Sequence, residues 1–405
     1  MHITLNLVQT IGLAIISLLV GKWLTSNISK LEEYSLPPAI VGGLAFALVN
    51  MVLRLTGLVT IELDTSLTMF FMVIYFTTIG FDASLKALSR AKQVVGRFLL
   101  LAVLAIFVQN ILALILSKFF NIPGPVALLL GSPALVGGPG TAAAVSPSIA
   151  ELGYTNASSV GVIAATLGIV LGSISGGPVA AAAVKKYDLS AANDRSSAMT
   201  MGNHPRQGRK KPLTGQRIAL MVYLIFLVIF AGSYLTQIIN ASVSHFVDGI
   251  SFPVYIGPMI VAAVVRNISD ARPDPIVDDQ AVAVTSDISL NLFLSLTMIS
   301  LELWTIIDMA LPMMAIIALE ALATILFARF IVFKVMGQNY DAAVMTAGFL
   351  GFGMGSSSNA MACMRQITHE YGPSPLAFLA VSIVGTLFID FINIFVIYGF
   401  IQWAA

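Results

Sequence analysis

The chain is poor in cysteine, in histidine and in charge, and each scarcity closes off a class of function. Cys363 is the only cysteine among 405 residues, so no internal disulfide and no cysteine-based metal site can form. The four histidines, His2, His204, His245 and His369, are scattered and offer no metal-ligand spacing. Charged residues make up 10% of the chain, against roughly 25% in soluble domains. Water is therefore not its main solvent. There is no Gly-Lys-Ser/Thr phosphate loop and no nucleophile–base pair with an interpretable spacing, so neither ATP drive nor a membrane enzyme is supported.

What is present is hydrocarbon, 58% of residues by composition. Apolar runs near the ~20 residues needed to cross a bilayer recur from end to end. They predict an all-α polytopic membrane protein with spans at 5–21, 38–55, 66–81, 94–117 and 157–184 in the first half. The second half offers 216–239, 252–265, 288–304, 312–333 and 374–402. A β-barrel is excluded because the runs lack the period-2 alternation of barrel strands. The start, "MHITLNLVQT", has no basic region before its apolar run, so 5–21 reads as a retained helix and not as a cleaved leader.

Basic residues set direction. With the N-terminus outside, nineteen of the 21 Lys and Arg residues fall inside and only Arg54 and Lys118 outside, as the positive-inside rule favours. Both termini are then outside (periplasmic). The expected organisation is an N-terminal membrane repeat over 1–184, a polar and basic cytoplasmic linker over 185–215, and a C-terminal membrane repeat over 216–405. The two halves echo one another: "SLPPAIVGGLAFALVN" (35–50) with "SFPVYIGPMIVAAVVRN" (251–267), "SLTMFF" (66–71) with "SLNLFL" (289–294), "GGPGTAAA" (137–144) with "GFGMGSSS" (351–358). Five spans per half insert the halves oppositely. That is an inverted-topology repeat, an arrangement common in secondary transporters.

Two glycine-rich interruptions, at about 123–150 and 340–366, stand between apolar stretches. Backbone that leaves the helix at membrane depth survives only where protein surrounds it or water reaches it. Each interruption is therefore expected to be a re-entrant hairpin, the first dipping from outside and the second from inside. Each would turn at its Gly-x-Gly and restart as a helix near Thr141 or Ser356, aiming positive dipole ends at the protein centre. Such ends suit carboxylates. The substrate-contacting candidates are Gly138, Gly140 and Thr141 in the first hairpin and Gly353, Gly355, Ser356, Ser357 and Asn359 in the second. Helix close-packing alone would account for isolated glycines.

Polar residues at depth supply the cation candidates. Asp390 and Asn393 in "FIDFIN" share a helical face. Gln109 and Asn110 lie mid-span in "FVQNIL", and Glu320 lies mid-span in "ALEALA". Asn110, Asp390 and Asn393 are the expected sodium ligands. Interhelical hydrogen bonding is the competing role for each, and Glu320 stands evenly between function and structural pairing.

The order of "NYDAA" (339–343), "GFGMG" (351–355), "GPS" (372–374) and "FID" (388–390), with "GGPGTAAA" in the first half, resembles the glutamate:sodium symporter family. The resemblance covers nearly all of the membrane-embedded chain. It implies a sodium-coupled carrier in the bacterial inner membrane that imports glutamate or a related carboxylate by alternating access. It further implies co-transported sodium, a homodimer, and a transport part that moves against a fixed scaffold, as in an elevator. The expected partners are a small carboxylate or amino acid, the lipid bilayer and a second copy, with no nucleic acid. The chain departs from the glutamate members at Pro139, where they carry histidine, and at Ser357-Ser358-Asn359, where they carry Thr-Pro-Thr. These departures bear on which carboxylate is carried more than on symport. The alternative is a sodium/proton antiporter without organic substrate, using Asp390 or Glu320. A passive channel is a further one.

Overall fold

A computed structural model describes residues 2–33, 36–88, 92–189, 213–244, 252–273 and 275–404. Most of the basic linker, 190–212, lies outside the described residues. The helices, numbered here in chain order, are α1 (Leu7–Asn27), α2 (Pro38–Leu55), α3 (Ser66–Asp82) and α4 (Lys92–Phe120). A first hairpin follows, made of α5 (Gly124–Leu128), α6 (Ser132–Leu135) and α7 (Gly138–Ala150), and then α8 (Ala157–Lys186). The second half has α9 (Gly215–Ser244), α10 (Ile256–Asp270), α11 (Asp279–Ile299) and α12 (Ala310–Phe327), which runs on through a π-turn to Val335. A second hairpin joins α13 (Tyr340–Gly353) to α14 (Ser357–Tyr371). The last span joins α15 (Pro375–Ser382) through a π-turn to α16 (Ile389–Ala404). Single helical turns at Ser29–Glu33 and Leu85–Leu88 are left unnumbered.

Helix starts follow local chemistry. Asn6 and Gln9 form a reciprocal capping box at α1, each side chain accepting the other's backbone N–H at 3.0 Å. Pro38 begins α2 where its missing N–H costs nothing. Asp278 caps α11 by accepting from Gln280 and Ala281 N–H, which starts that helix nine residues before the expected 288. Its first turns are polar, so hydropathy alone hides them. The only sheet among the described residues pairs His2–Leu5 with Thr60–Leu63 in parallel. It holds the chain start beside the loop that follows α2.

Among the described residues, seven helices are long and apolar enough to span a bilayer, eight with the bent α15–α16 pair. Ten spans were expected. The difference lies mainly in α3 and α10, of 17 and 15 residues, or roughly 23–26 Å at 1.5 Å per residue. Both are flanked by other helices, which relieves them of crossing the full hydrocarbon alone.

The helices sort into two groups. α1, α2, α3, α9, α10 and α11 pack on one another, while α4, α8, α12 and both hairpins form the second group with α15 and α16. Backbone contact holds the first group together. A Cβ on Gly42 would lie 1.8 Å from the Ser17 carbonyl oxygen, and one on Gly21 would lie 1.9 Å from that of Pro38. Gly257 meets the Gly232 carbonyl in the same way, and its N–H donates to Thr236 Oγ1 at 2.9 Å where α9 and α10 cross. Small residues permit such approach in membranes, where lipid supplies no hydrophobic drive between helices. The second group is centred on aromatic contacts among Phe98, Phe349 and Phe352, with ring centroids 5.4–6.2 Å apart.

Replacing Gly42 with valine is expected to cost more than the ~3 kcal/mol typical of overpacking, because the obstacle is backbone. The thermal midpoint of detergent-purified protein should fall by several degrees or folded protein should be lost. Gly12→Ala, where nothing lies within 4 Å of the new Cβ, should leave the midpoint unchanged.

Candidate functional site

Both hairpins lie along α8, and that helix measures their depth. Ser146 of α7 donates to the Ala157 carbonyl, and Gly161 packs on Ala142, so the first hairpin lies along the beginning of α8. In the second hairpin, Ala347 and Cys363 pack on Gly176, and Gln366 packs on Gly177, so it lies along the far end of the same helix. The hairpins enter from opposite ends. Their turns meet in the middle: a Cβ on Gly138 would lie 2.8 Å from the Gly355 carbonyl oxygen, and Gly355 itself packs on Ile169. Ile169 stands about 18 Å along a helix of about 45 Å, close to the middle of that helix.

The turns differ from expectation in one detail. In the first hairpin the break is at Val136-Gly137, and Gly138-Pro139-Gly140 is already the first turn of α7. Gly138 has φ +66°, a conformation that costs an ordinary residue about 1–2 kcal/mol. No side chain caps α7, so its first N–H groups remain available. In the second hairpin, Gly353-Met354-Gly355 forms the turn and Ser356 caps α14 by accepting the Asn359 N–H at 3.3 Å.

A cavity of about 630 Å³ lies between the two helix groups. Val136–Gly140, Phe352, Ser356, Ile169, Gly385 and Asp390 line one wall. Tyr75 of α3, Asp287, Leu290 and Asn291 of α11, and Lys22 and Thr25 of α1 line the other. This volume suits a small organic ligand. A larger groove of about 760 Å³, at Lys118, Phe119 and Trp403, lies away from both turns.

Of the candidate residues, Gly138, Gly140, Ser356 and Asp390 line this cavity. Thr141 does not; its side chain folds back over Gly137, where a Cβ would be 2.4 Å away. The Gly353 carbonyl accepts from Gln109 Nε2 at 2.9 Å. Asn359 is fully buried, donating to the Ile169 carbonyl at 3.1 Å and accepting from Ser173 Oγ at 2.6 Å. Its amide fixes the second hairpin to α8. Ser357 opens α14, its side chain lying outside the described set.

Asn110 and Asn393 converge, both fully buried, and the residue between them is Ser132. Ser132 Oγ is 3.0 Å from Asn110 Oδ1 and 2.8 Å from Asn393 Oδ1. Asn393 Nδ2 donates to the Ser132 carbonyl at 3.2 Å. One hydroxyl proton thus serves two acceptor oxygens, since a serine donates once. Three oxygens from α4, the first hairpin and α16 crowd together at a buried place, a donor set that suits a hard cation. Asp390 stands one turn before Asn393, half-buried on the cavity wall. Among the described residues no basic side chain forms an ion pair with it.

Sequence reasoning missed Ser132, Tyr75, Asp287 and Asn291. "GSPAL" carried a signal, a Ser-Pro helix start inside an apolar hairpin. Asp287 and Asn291, four residues apart on one face of α11, carried another. Tyr75 carried none.

Two broken hairpins whose turns meet beside a polar cavity, within an apolar helical body, define a multi-pass membrane carrier of the broken-helix class. The family model of the sodium/glutamate symporters matches residues 3–373. The sodium/glutamate symporter of Escherichia coli (strain K12) is 34% identical over 395 residues, covering 97% of this chain and 96% of that protein. That of Haemophilus influenzae is 31% identical over 397 residues, with coverage of 97% and 96%. This chain belongs to the sodium/glutamate symporter family. Among solved structures, the sodium proton antiporter of Methanocaldococcus jannaschii at pH 8 covers 99% of this chain and 98% of its own, at 14% identity and a TM-score of 0.44, too distant to bear on function.

Gly138→Ala places a methyl in the left-handed conformation and against the opposite turn. Uptake is expected to fall at least ~10-fold, given the ~1–2 kcal/mol of strain and the displacement of the facing carbonyl. The protein should still purify as a single species. Gly96→Ala, which meets nothing within 4 Å, serves as the control.

Proposed function

We propose that this protein is a sodium-coupled symporter that imports glutamate or a related acidic amino acid across the bacterial inner membrane. The observation that carries the reading is the meeting of both hairpin turns on one cavity. There, two helix starts face the same space, each favouring an anion by about 1 kcal/mol before any hydrogen bond is counted. A substrate with two carboxylates can engage both.

Sodium is the second cargo, held by Asn110 Oδ1, Ser132 Oγ and Asn393 Oδ1, with Asp390 supplying negative charge from one helical turn away. Coupling follows from what Ser132 touches. Its carbonyl accepts from Val136 N–H at 3.1 Å and Gly137 N–H at 2.9 Å, the two residues at the break before Gly138. A cation that draws α4, α6 and α16 together therefore fixes the turn that receives the carboxylate. Each ligand then strengthens the other reciprocally.

The cavity reaches Lys22, Thr25 and Pro37, at the end of the body where the basic residues crowd. With the termini outside, this is an inward-open state. The group carrying the hairpins is the moving part and the group around α1, α2 and α11 is the scaffold. The matching element order of the two halves, four helices, a hairpin and a closing span, supports inverted repeats. The apolar row Leu220, Leu227 and Tyr234, exposed on α9, offers the scaffold a surface for a second copy.

Purified protein in liposomes should concentrate labelled glutamate only under an inward sodium gradient. Asp390→Asn and Ser132→Ala should each raise the sodium concentration for half-maximal uptake by about tenfold, matching ~1.4 kcal/mol for a lost charged contact. The ranking of glutamate, aspartate and 2-oxoglutarate should change little. Sodium activation that is unaltered in both variants would remove these residues from the cation site.

A further inference from the structure

Against the second hairpin, among residues that do not line the cavity, lies a polar strip that the symport reading leaves unused. Glu320, midway along α12, is fully buried, and neither carboxylate oxygen has a hydrogen-bond partner among the described residues. One turn on, Thr324 Oγ1 donates to the Glu320 carbonyl at 2.9 Å. Gln109 Nε2 donates to Thr324 Oγ1 at 3.1 Å and to the Gly353 carbonyl at 2.9 Å. Gln109 Oε1 is itself buried without a partner.

Among the described residues no positive charge faces Glu320. α12 packs against α4, α8 and α13. Residues 98–117 of α4, 157–184 of α8 and 342–353 of α13 contain no titratable side chain. On its own element the nearest charges are Asp308 and Arg329, both exposed, about 18 and 13 Å away along the axis. An ionised carboxylate in such a place is strongly disfavoured unless paired, and an intramembrane acid is by default functional.

We propose that Glu320 is a proton-binding site, loaded in this conformation, whose occupancy is transmitted by Gln109 to the turn of the second hairpin. While Glu320 carries its proton, both Gln109 N–H groups are free to hold Thr324 and the Gly353 carbonyl. When the O–H bond breaks and the proton passes to water, the carboxylate competes for those donors. The Gly353 carbonyl is then released and the turn that presents Ser356 to the cavity loosens.

Two measurements on full-length protein in liposomes test this. Infrared spectroscopy at neutral pH should show a protonated-carboxyl band that is absent from Glu320→Gln and retained in Asp390→Asn. Glutamine is isosteric with the neutral acid, so the variant should purify and melt like the parent. The second measurement, which rests on the symport reading above, is sodium-driven glutamate uptake as a function of pH. The parent rate should vary by about tenfold per pH unit on the limb where the site titrates, as a single proton dictates, and Glu320→Gln should be flat over that limb. An infrared spectrum unchanged by Glu320→Gln, or parent and variant pH profiles that superimpose, would overturn the proposal. The infrared arm needs no cargo, so it decides even where glutamate is not transported.

Discussion

Everything in this fold answers to one constraint, that peptide N–H and C=O groups cannot face hydrocarbon unpaired without a cost of several kcal/mol each. A chain that breaks its helices at midplane must therefore wrap the breaks in protein. α8 does most of that wrapping. Its glycines at 168, 172 and 176 bring backbone to within contact of Met354, Leu350 and Ala347 in the second hairpin, and Asn359 fastens the hairpin to the Ile169 carbonyl. The first hairpin's turn, Val136–Gly140, is left bordering the cavity.

How much of this was legible in sequence depends on which physical signal each feature leaves. The spans and both hairpins left strong ones, since clustered glycine and proline inside an apolar run interrupt the helix that lipid would otherwise enforce. The start of α11 left a misleading one, because its capping Asp278 and polar first turns look like loop until the cap is seen. Of the site candidates, Gly138, Gly140 and Ser356 line the cavity, being residue types that turns favour. Thr141 and Asn359 have the same chemistry yet face into the protein. Composition cannot reveal the direction of a side chain. Ser132 was hidden differently: its role exists only because α4 and α16, 261 residues from it in the latter case, arrive at the same point.

On the proposed reading, that convergence lets two cargoes depend on each other without touching. Ser132 offers its hydroxyl to the asparagine pair and its carbonyl to the turn. A rigid four-residue helix, α6, separates the two functions by a single turn. Any ligand that orders one end of so short an element orders the other, and the coupling needs no longer path through the protein. The cluster is only partly satisfied, with one proton between two amide oxygens and Asn110 Nδ2 lacking a partner among the described residues, so on that reading it is looser without its cation. A half-satisfied buried network is poorly stabilised, so a cation gains both its own ligation and the order it brings.

The departures from the glutamate members then have unequal weight. Asn359 stands where threonine does in those members, but its amide is engaged by α8, so this change alters how the hairpin is anchored and not what the cavity offers. Pro139 is different, because it lines the cavity at the second position of α7. Proline is well tolerated there since that N–H has no helical partner to lose. It also removes one donor and one ionisable ring from the wall that faces the substrate. The first turn is left with the N–H groups of Gly138 and Gly140, which recognise a carboxylate by backbone alone and make few demands on the rest of the molecule. On the proposed reading, discrimination among carboxylates falls to the opposite wall, which Tyr75, Asp287 and Asn291 line.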